Sequence, residues 1–358
     1  MSMDYVMYGA KSLALGMYKA IQYLHPEWNC RGFVVSNKKG NPELLSGEKV
    51  WELEELKSSL SLEEQQKIKI FIATPEDLHG EIASYLEENG FQNYECMNSV
   101  KEAKLMEQYY TEKKLFPSVH ELPAGDKAAE LKVYQAKFYR DKVLSGNYEL
   151  PDWVVPIQVG AELTGERVAQ VLDNTGEHIS SKNVNYCEMT ALYWLWKNGM
   201  TEECDYYGLF HYRRILDISE EDLRKMAGNN VDVIVQFPTM HEPNIYEHHE
   251  RYIKEEDWEA MLLALQELHP EYAKALPEIF SQEYFYNYNM IIAKKEVLND
   301  YCSWLFPVLE RTEQLSTPKG WERRDRYIGY LAENLMTLYL MYHKNDLNVV
   351  HTGRIMLT

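Results

Sequence analysis

Cysteine is scarce and scattered: Cys30, Cys96, Cys187, Cys204 and Cys302 are spread over 358 positions with no CxxC pair. An odd, widely spaced set excludes a disulfide framework and a structural zinc site, and favours a reducing compartment. Basic charge is also short, with 37 Lys+Arg against 56 Asp+Glu and a formal net charge of -19. That balance opposes broad contact with nucleic acid, whose binders carry a basic face, yet it leaves room for one small basic pocket. No apolar run approaches the roughly 18 residues of a transmembrane helix. The opening MSMDYVMYGAKS lacks a basic stretch before an apolar one, so no signal peptide is read. Internal repeats and low-complexity segments are absent too. The expected setting is cytoplasmic, with peripheral membrane contact left open.

What the chain does hold is aromatic surface: 27 Tyr and 8 Trp. These rings pair a flat apolar face with a polar handle, suited to sugars and to cores alike. The length corresponds to about two domains. Residues 4–98 alternate strand and helix: DYVMY, a helix over 12–24, RGFVVS, a helix over 52–60, KIFIA, and a helix over 76–89 stopped by Gly90. This rhythm predicts a parallel, Rossmann-like α/β domain over 1–99. Its glycine turn is broken, because Lys11 stands where the second glycine of GxGxxG belongs and Asn37 replaces the acidic ribose ligand. A structural or docking role is therefore expected ahead of nucleotide binding. A linker helix and loop follow over 100–130, and a second α/β domain over 131–358.

Within that second domain, DYYGLFHYRRI (205–215) reads as one strand running from apolar residues into charge. In open α/β sheets, ligands sit beyond the carboxyl ends of strands. His211, Arg213 and Arg214 fall there, and a guanidinium suits phosphate because it is permanently charged and forked. Alternation would place His211 and Arg213 on one face, Tyr212 and Arg214 on the other.

The block DNTGEHISSKN (173–183), followed by YCEMTALYWLWKN (186–198), resembles a bacterial capsule and exopolysaccharide glycosyltransferase family long catalogued as a domain of unknown function, whose members include galactofuranosyltransferases. YYGLFHYRR, EEDW, YNYNM, WLFPVLE and RYIGYLAENL continue in the family order, and the resemblance spans about residues 131–345. It implies a GT-A-like domain after the Rossmann-like one, a UDP-sugar donor (a hexose, with galactofuranose as one option) and a surface-polysaccharide or lipid-linked glycan acceptor. Two departures stand out. Asn334 replaces a basic residue expected beside Glu333, and VYQAKFYRD lacks the His-Lys pair expected after the first strand.

The resemblance also sets the expected roles. A GT-A enzyme usually holds a manganese or magnesium ion on Asp-x-Asp. No convincing copy occurs, so Arg213, Arg214 or both are expected to replace the metal charge on the leaving diphosphate. The rival reading gathers His211 with His241, His248 or His249 around an ion. Donor contacts are expected from Arg214, Asp173, Lys182, Asn183 and Glu188. Asp257, opening a helix beside Trp258, is the first choice of base, with Glu333 and Asp205 behind it; a retaining mechanism would need none. Helix N-termini favour acidic residues in any case. Trp258, Asn287 and Asn289 are assigned to the acceptor, although both amides suit turn caps equally. Other classes remain: a non-catalytic nucleotide-sugar-binding module, or a metal-dependent hydrolase on the histidines.

Overall fold

The computed structural model describes residues 3–146 and 148–358. The first sheet contains β1 (Asp4–Tyr8), β2 (Asn29–Val35), β3 (Leu44–Leu45), β4 (Glu48–Glu52), β5 (Lys69–Ile72) and β6 (Tyr94–Cys96), in the order β3-β4-β2-β1-β5-β6. All neighbours are parallel except β3 with β4. Winding reverses at β1, with β2 and β4 on one side and β5 and β6 on the other. Parallel strands are covered on both faces and so read as unbroken apolar runs. Tyr5 and Met7 pack with Ala14, Met17 and Ile21 of the helix Ser12–Leu24. Val6 and Tyr8 pack oppositely, with Leu53, Leu56, Ile82 and Leu86. Each large apolar side chain taken out of water this way contributes roughly 1.5–3 kcal/mol before ordering costs.

The second sheet is mixed. Its strands are β7 (Leu131–Lys137), β8 (Val154–Gln158), β9 (Val171–Leu172), β10 (Tyr206–His211), β11 (Arg214–Leu216), β12 (Val233–Gln236), β15 (Ile291–Lys294), β16 (Val349–Thr352) and β17 (Arg354–Met356), while β13 (Thr239–Met240) and β14 (Tyr284–Phe285) form a separate ribbon. β10 lies centrally, parallel to β7 and antiparallel to β15. Gly208 is required there, because a Cβ would meet the Ile291 carbonyl oxygen at 2.4 Å. The helices Glu255–Leu268, Pro270–Phe280, Lys295–Leu315 and Tyr327–Tyr342 share one apolar core on the sheet.

One local expectation changes. The run 205–215 is not one strand: the chain reverses at Tyr212–Arg213, and His211 pairs with Arg214 across a two-residue hairpin. Directly opposed residues share a face, so His211 aligns with Arg214 rather than with Arg213. The segment expected as a linker contains the helix Ser99–Glu112, which binds both units. Glu102 meets Arg354 at 2.8 Å, and the Ser99 hydroxyl accepts the Met356 N–H at 2.9 Å. Among the described residues, no helix is long and apolar enough to cross a membrane.

Candidate active site

Beyond the carboxyl ends of β7, β8 and β10 lie two adjoining cavities of about 390 and 400 Å³, which share Arg140, Glu188, His211 and Arg326. The first runs over Ala136, Phe138, Val159, Asn183 and Arg324. The second is closed by Arg213, Arg214, Tyr288, Tyr330 and Glu333. Five arginines therefore converge on one cleft in a chain of net charge -19.

Three carboxylates face these cations: Asp141, which accepts the Phe138 N–H at 2.7 Å, Glu188 and Glu333. Glu188, 8% exposed, lies 3.4 Å from His211 Nε2 and accepts a 2.7 Å hydrogen bond from the Asn289 amide. Burial raises its proton affinity, but the imidazole and the amide outweigh that and leave the carboxyl below its ordinary value. Glu333 Oε1 accepts the Tyr288 N–H at 3.0 Å. Burial and then the Glu188 charge push the Glu333 carboxyl up to about 8. Carboxylates driven apart in this way suit acid–base work.

The backbone here is strained. Cys187 (φ 50°), Tyr288 (φ 70°), Asn289 (φ 50°) and Arg326 (φ 65°) are four of the eight non-glycine residues with positive φ among the described residues. Such conformations persist where surrounding contacts over-determine them. Asn289 has such contacts, since its amide also donates to the Gly329 carbonyl at 3.1 Å. Cys187 Sγ accepts from Arg326 Nε at 3.3 Å, yet burial pushes the thiol up to about 12, which makes it a poor nucleophile.

His211, Arg213, Arg214, Asn183 and Glu188 are brought to the cleft. Arg213 contacts Asp77 loosely at 3.5 Å, and its buried Nε has no partner. Arg214 lies 4.3 Å over the Tyr288 ring and forms no ion pair among the described residues. Asn289 serves the cleft indirectly, holding Glu188.

The other expected site residues are placed elsewhere. Asp173 is fully buried and accepts from Gly160 N, Ala161 N, Ser180 Oγ and Thr190 Oγ1 at 2.5–3.0 Å, so it staples the loop instead of touching a ligand. Lys182 is paired with Glu313 at 2.5 Å on another face. Asp257, 1% exposed, is held bidentately by Arg323 at 2.6 and 2.7 Å, which occupies both oxygens a base would use. Trp258 has 0% exposure and stacks on His249 at 4.0 Å, leaving no ring face for a sugar. Asn287 accepts from Gln236. Sequence reasoning missed Arg140, Arg324 and Arg326, whose only signal was two short basic runs.

The histidines do not gather around one point. The His241 and His248 rings lie 3.6 Å apart, tilted by 38°, and burial lowers them to about 2 and about 4. His211 is in the cleft and His249 in the core. Among the described residues, no group of three or more His, Cys, Asp or Glu is placed to hold an ion. In the cleft itself, Glu188 is engaged by His211 and Asn289, Glu333 by the Tyr288 N–H and Asp141 by the Phe138 N–H, and all stand among guanidinium groups, a poor fit to a hard divalent cation.

Comparison with solved structures adds a class. The apo structure of the WbbM bifunctional glycosyltransferase matches with a TM-score of 0.55 and 26% identity over 64% of this chain and 45% of that one. This chain thus spans under half the length of that protein. The mixed α/β architecture is similar to that of part of this glycosyltransferase. The chain belongs to the family described as a domain of unknown function (DUF4422), whose model matches residues 145–345. An engineered D-amino acid dehydrogenase bound to NADP+ matches at a TM-score of 0.21 and 10% identity over 31% of this chain and 34% of that one, too low to carry any argument. A search of curated proteins finds no match.

Proposed function

We propose that this protein is a nucleotide-sugar-dependent glycosyltransferase, with a Rossmann-like unit ahead of a GT-A-like one. The observation that carries the reading is the arginine-walled cleft over the ends of β7, β8 and β10, with Glu188 and Glu333 inside it. The donor, a UDP-hexose in this reading, lies along Ala136, Val159 and Asn183. Its diphosphate is met by Arg140, Arg324 and Arg326, with Arg213 and Arg214 at the far wall. A glycan acceptor of a surface polysaccharide enters beside Tyr288 and Tyr330. Galactofuranose remains one option for the sugar, and the acceptor's lipid carrier would bring the protein to the membrane surface.

The chemistry is a displacement at the anomeric carbon. The acceptor oxygen forms the new bond, the bond to the diphosphate oxygen breaks, and its electron pair leaves with the diphosphate. The hydroxyl proton passes to Glu333, which replaces Asp257 as the proposed base. Fixed guanidinium groups stabilise the departing charge as a metal ion would, without reorganising in the transition state. Glu188 and Asn289 orient His211 toward that end of the cleft.

The test is donor hydrolysis and thermal shift with a panel of nucleotide sugars, with and without EDTA. Wild type is expected to respond to one or more donors irrespective of EDTA, and Arg326→Ala to lose the response. Silence toward every donor, or identical behaviour of wild type and variant, would overturn the reading.

A further inference from the structure

A third cavity, of about 290 Å³, lies outside the cleft, where the carboxyl ends of β1, β5 and β6 face β11 and β17. In a doubly wound sheet the crevice at the winding reversal is where ligands bind, and β1 is that point here. Gly9 makes the approach feasible: its φ is +125°, and a Cβ would sit 2.6 Å from the Ala73 carbonyl oxygen.

The charges are unequal across this space. From the second unit, Arg214 and Arg354 reach it beside the Tyr288 ring, at 4.3 and 5.0 Å from its centroid. Arg354 is neutralised by Glu102 at 2.8 Å. Arg214 has no carboxylate within 4.0 Å among the described residues, and both Arg354 and Arg213 oppose its charge. From the first unit, Lys11 lines the crevice and makes no ion pair among the described residues. Glu76 is also on the wall but accepts the Ser99 N–H at 2.5 Å. Arg214, a half-buried guanidinium crowded by two others and with no carboxylate of its own, is costly there unless an anion joins it. The rest of the wall, Ala10, Leu13, Met97 and Met356, is apolar.

We propose that this crevice binds a phosphate-bearing small molecule, its phosphate on Arg214 and Arg354 and its body along the apolar wall, bridging the two units. The site adjoins the donor cleft across the wall formed by Arg214 and Tyr288, and its occupancy does not depend on the transferase reading. Arg214 and Tyr288 border both spaces, so a ligand here touches the residue whose N–H meets Glu333.

The test is titration calorimetry of the full chain with inorganic phosphate, uridine monophosphate and a short-chain prenyl phosphate. The last two probes distinguish a nucleotide from a lipid-phosphate source. Ser12→Asp adds an anion to the crevice wall at a helix start, where acidic residues favour folding. It is expected to weaken the tightest of the three at least tenfold. The double variant Glu102→Gln, Arg354→Gln removes a charge pair together and should do the same, with folding checked by thermal melting. Binding unchanged in both folded variants, no binding of any probe to wild type, or binding abolished by Arg326→Ala but not by Ser12→Asp would overturn the site.

Discussion

Glu333 keeps its proton to about pH 8 because burial and the Glu188 charge both oppose ionisation. A base titrating there is well matched to a hydroxyl that loses its proton in the transition state. Accordingly, kcat/KM for transfer is expected to climb with pH and level off above about 8. Glu333→Gln should lower kcat by roughly 10²–10⁴ with little change in donor KM. Stability responds in the opposite sense. The folded protein binds this proton more tightly than the unfolded chain does, so the associated stabilisation is complete below the ordinary carboxylate range and is lost as pH rises through about 8. Melting temperatures of wild type and Glu333→Gln should therefore separate between pH 5 and 9, the variant gaining at the alkaline end. A constant gap would show that the carboxyl titrates normally. In the sequence Glu333 ranked behind Asp257, because nothing local reveals that Arg323, 66 residues away, occupies both Asp257 oxygens. Arg140, Arg324 and Arg326 were visible only as charge runs, which look the same whether they face water or a cleft.

The strands of the first sheet were readable, since apolar runs such as DYVMY and KIFIA match β1 and β5 almost residue for residue. The hairpin after β10 was not. Two-residue reversals usually announce themselves with Gly, Asn or Asp, whereas this one uses Tyr212 and Arg213. The consequence is functional, because the reversal brings Arg214 level with His211 instead of carrying it down the sheet. At this scale Gly208→Ala should destabilise the protein by about 1–3 kcal/mol, since its methyl would run into the backbone of β15; urea unfolding measures it. Asp173→Asn turns an acceptor toward four donors into a group that must present its own N–H to some of them. A lower melting temperature and a raised donor KM are expected together, as the loop carrying Asn183 loosens. A loss of kcat with unchanged KM would instead give Asp173 a direct part in the reaction.

Across the molecule, the two sheets are not independent bodies. Phe237 and Met240 of the second unit share an apolar cluster with Ala10, Ala14 and Met17 of the first. Charged contacts add to it: Lys19 meets Glu242 at 3.0 Å, and the Ser46 hydroxyl donates to Glu242 at 2.9 Å. Calorimetry is expected to show one cooperative transition, with equal calorimetric and van't Hoff enthalpies. Deleting residues 1–97 should expose that cluster and produce a dye-binding, aggregating remainder; two separable transitions would count against the coupling. The helix Ser99–Glu112 looked like a spacer in the sequence because its partners, Arg354 and Met356, lie at the far end of the chain. Finally, the wall formed by Arg214 and Tyr288 belongs to two chambers at once. An inhibitor anchored in the chamber between the units could be lengthened past that aromatic ring toward the acidic pair, gaining selectivity from a region that simpler mimics of the sugar donor never reach.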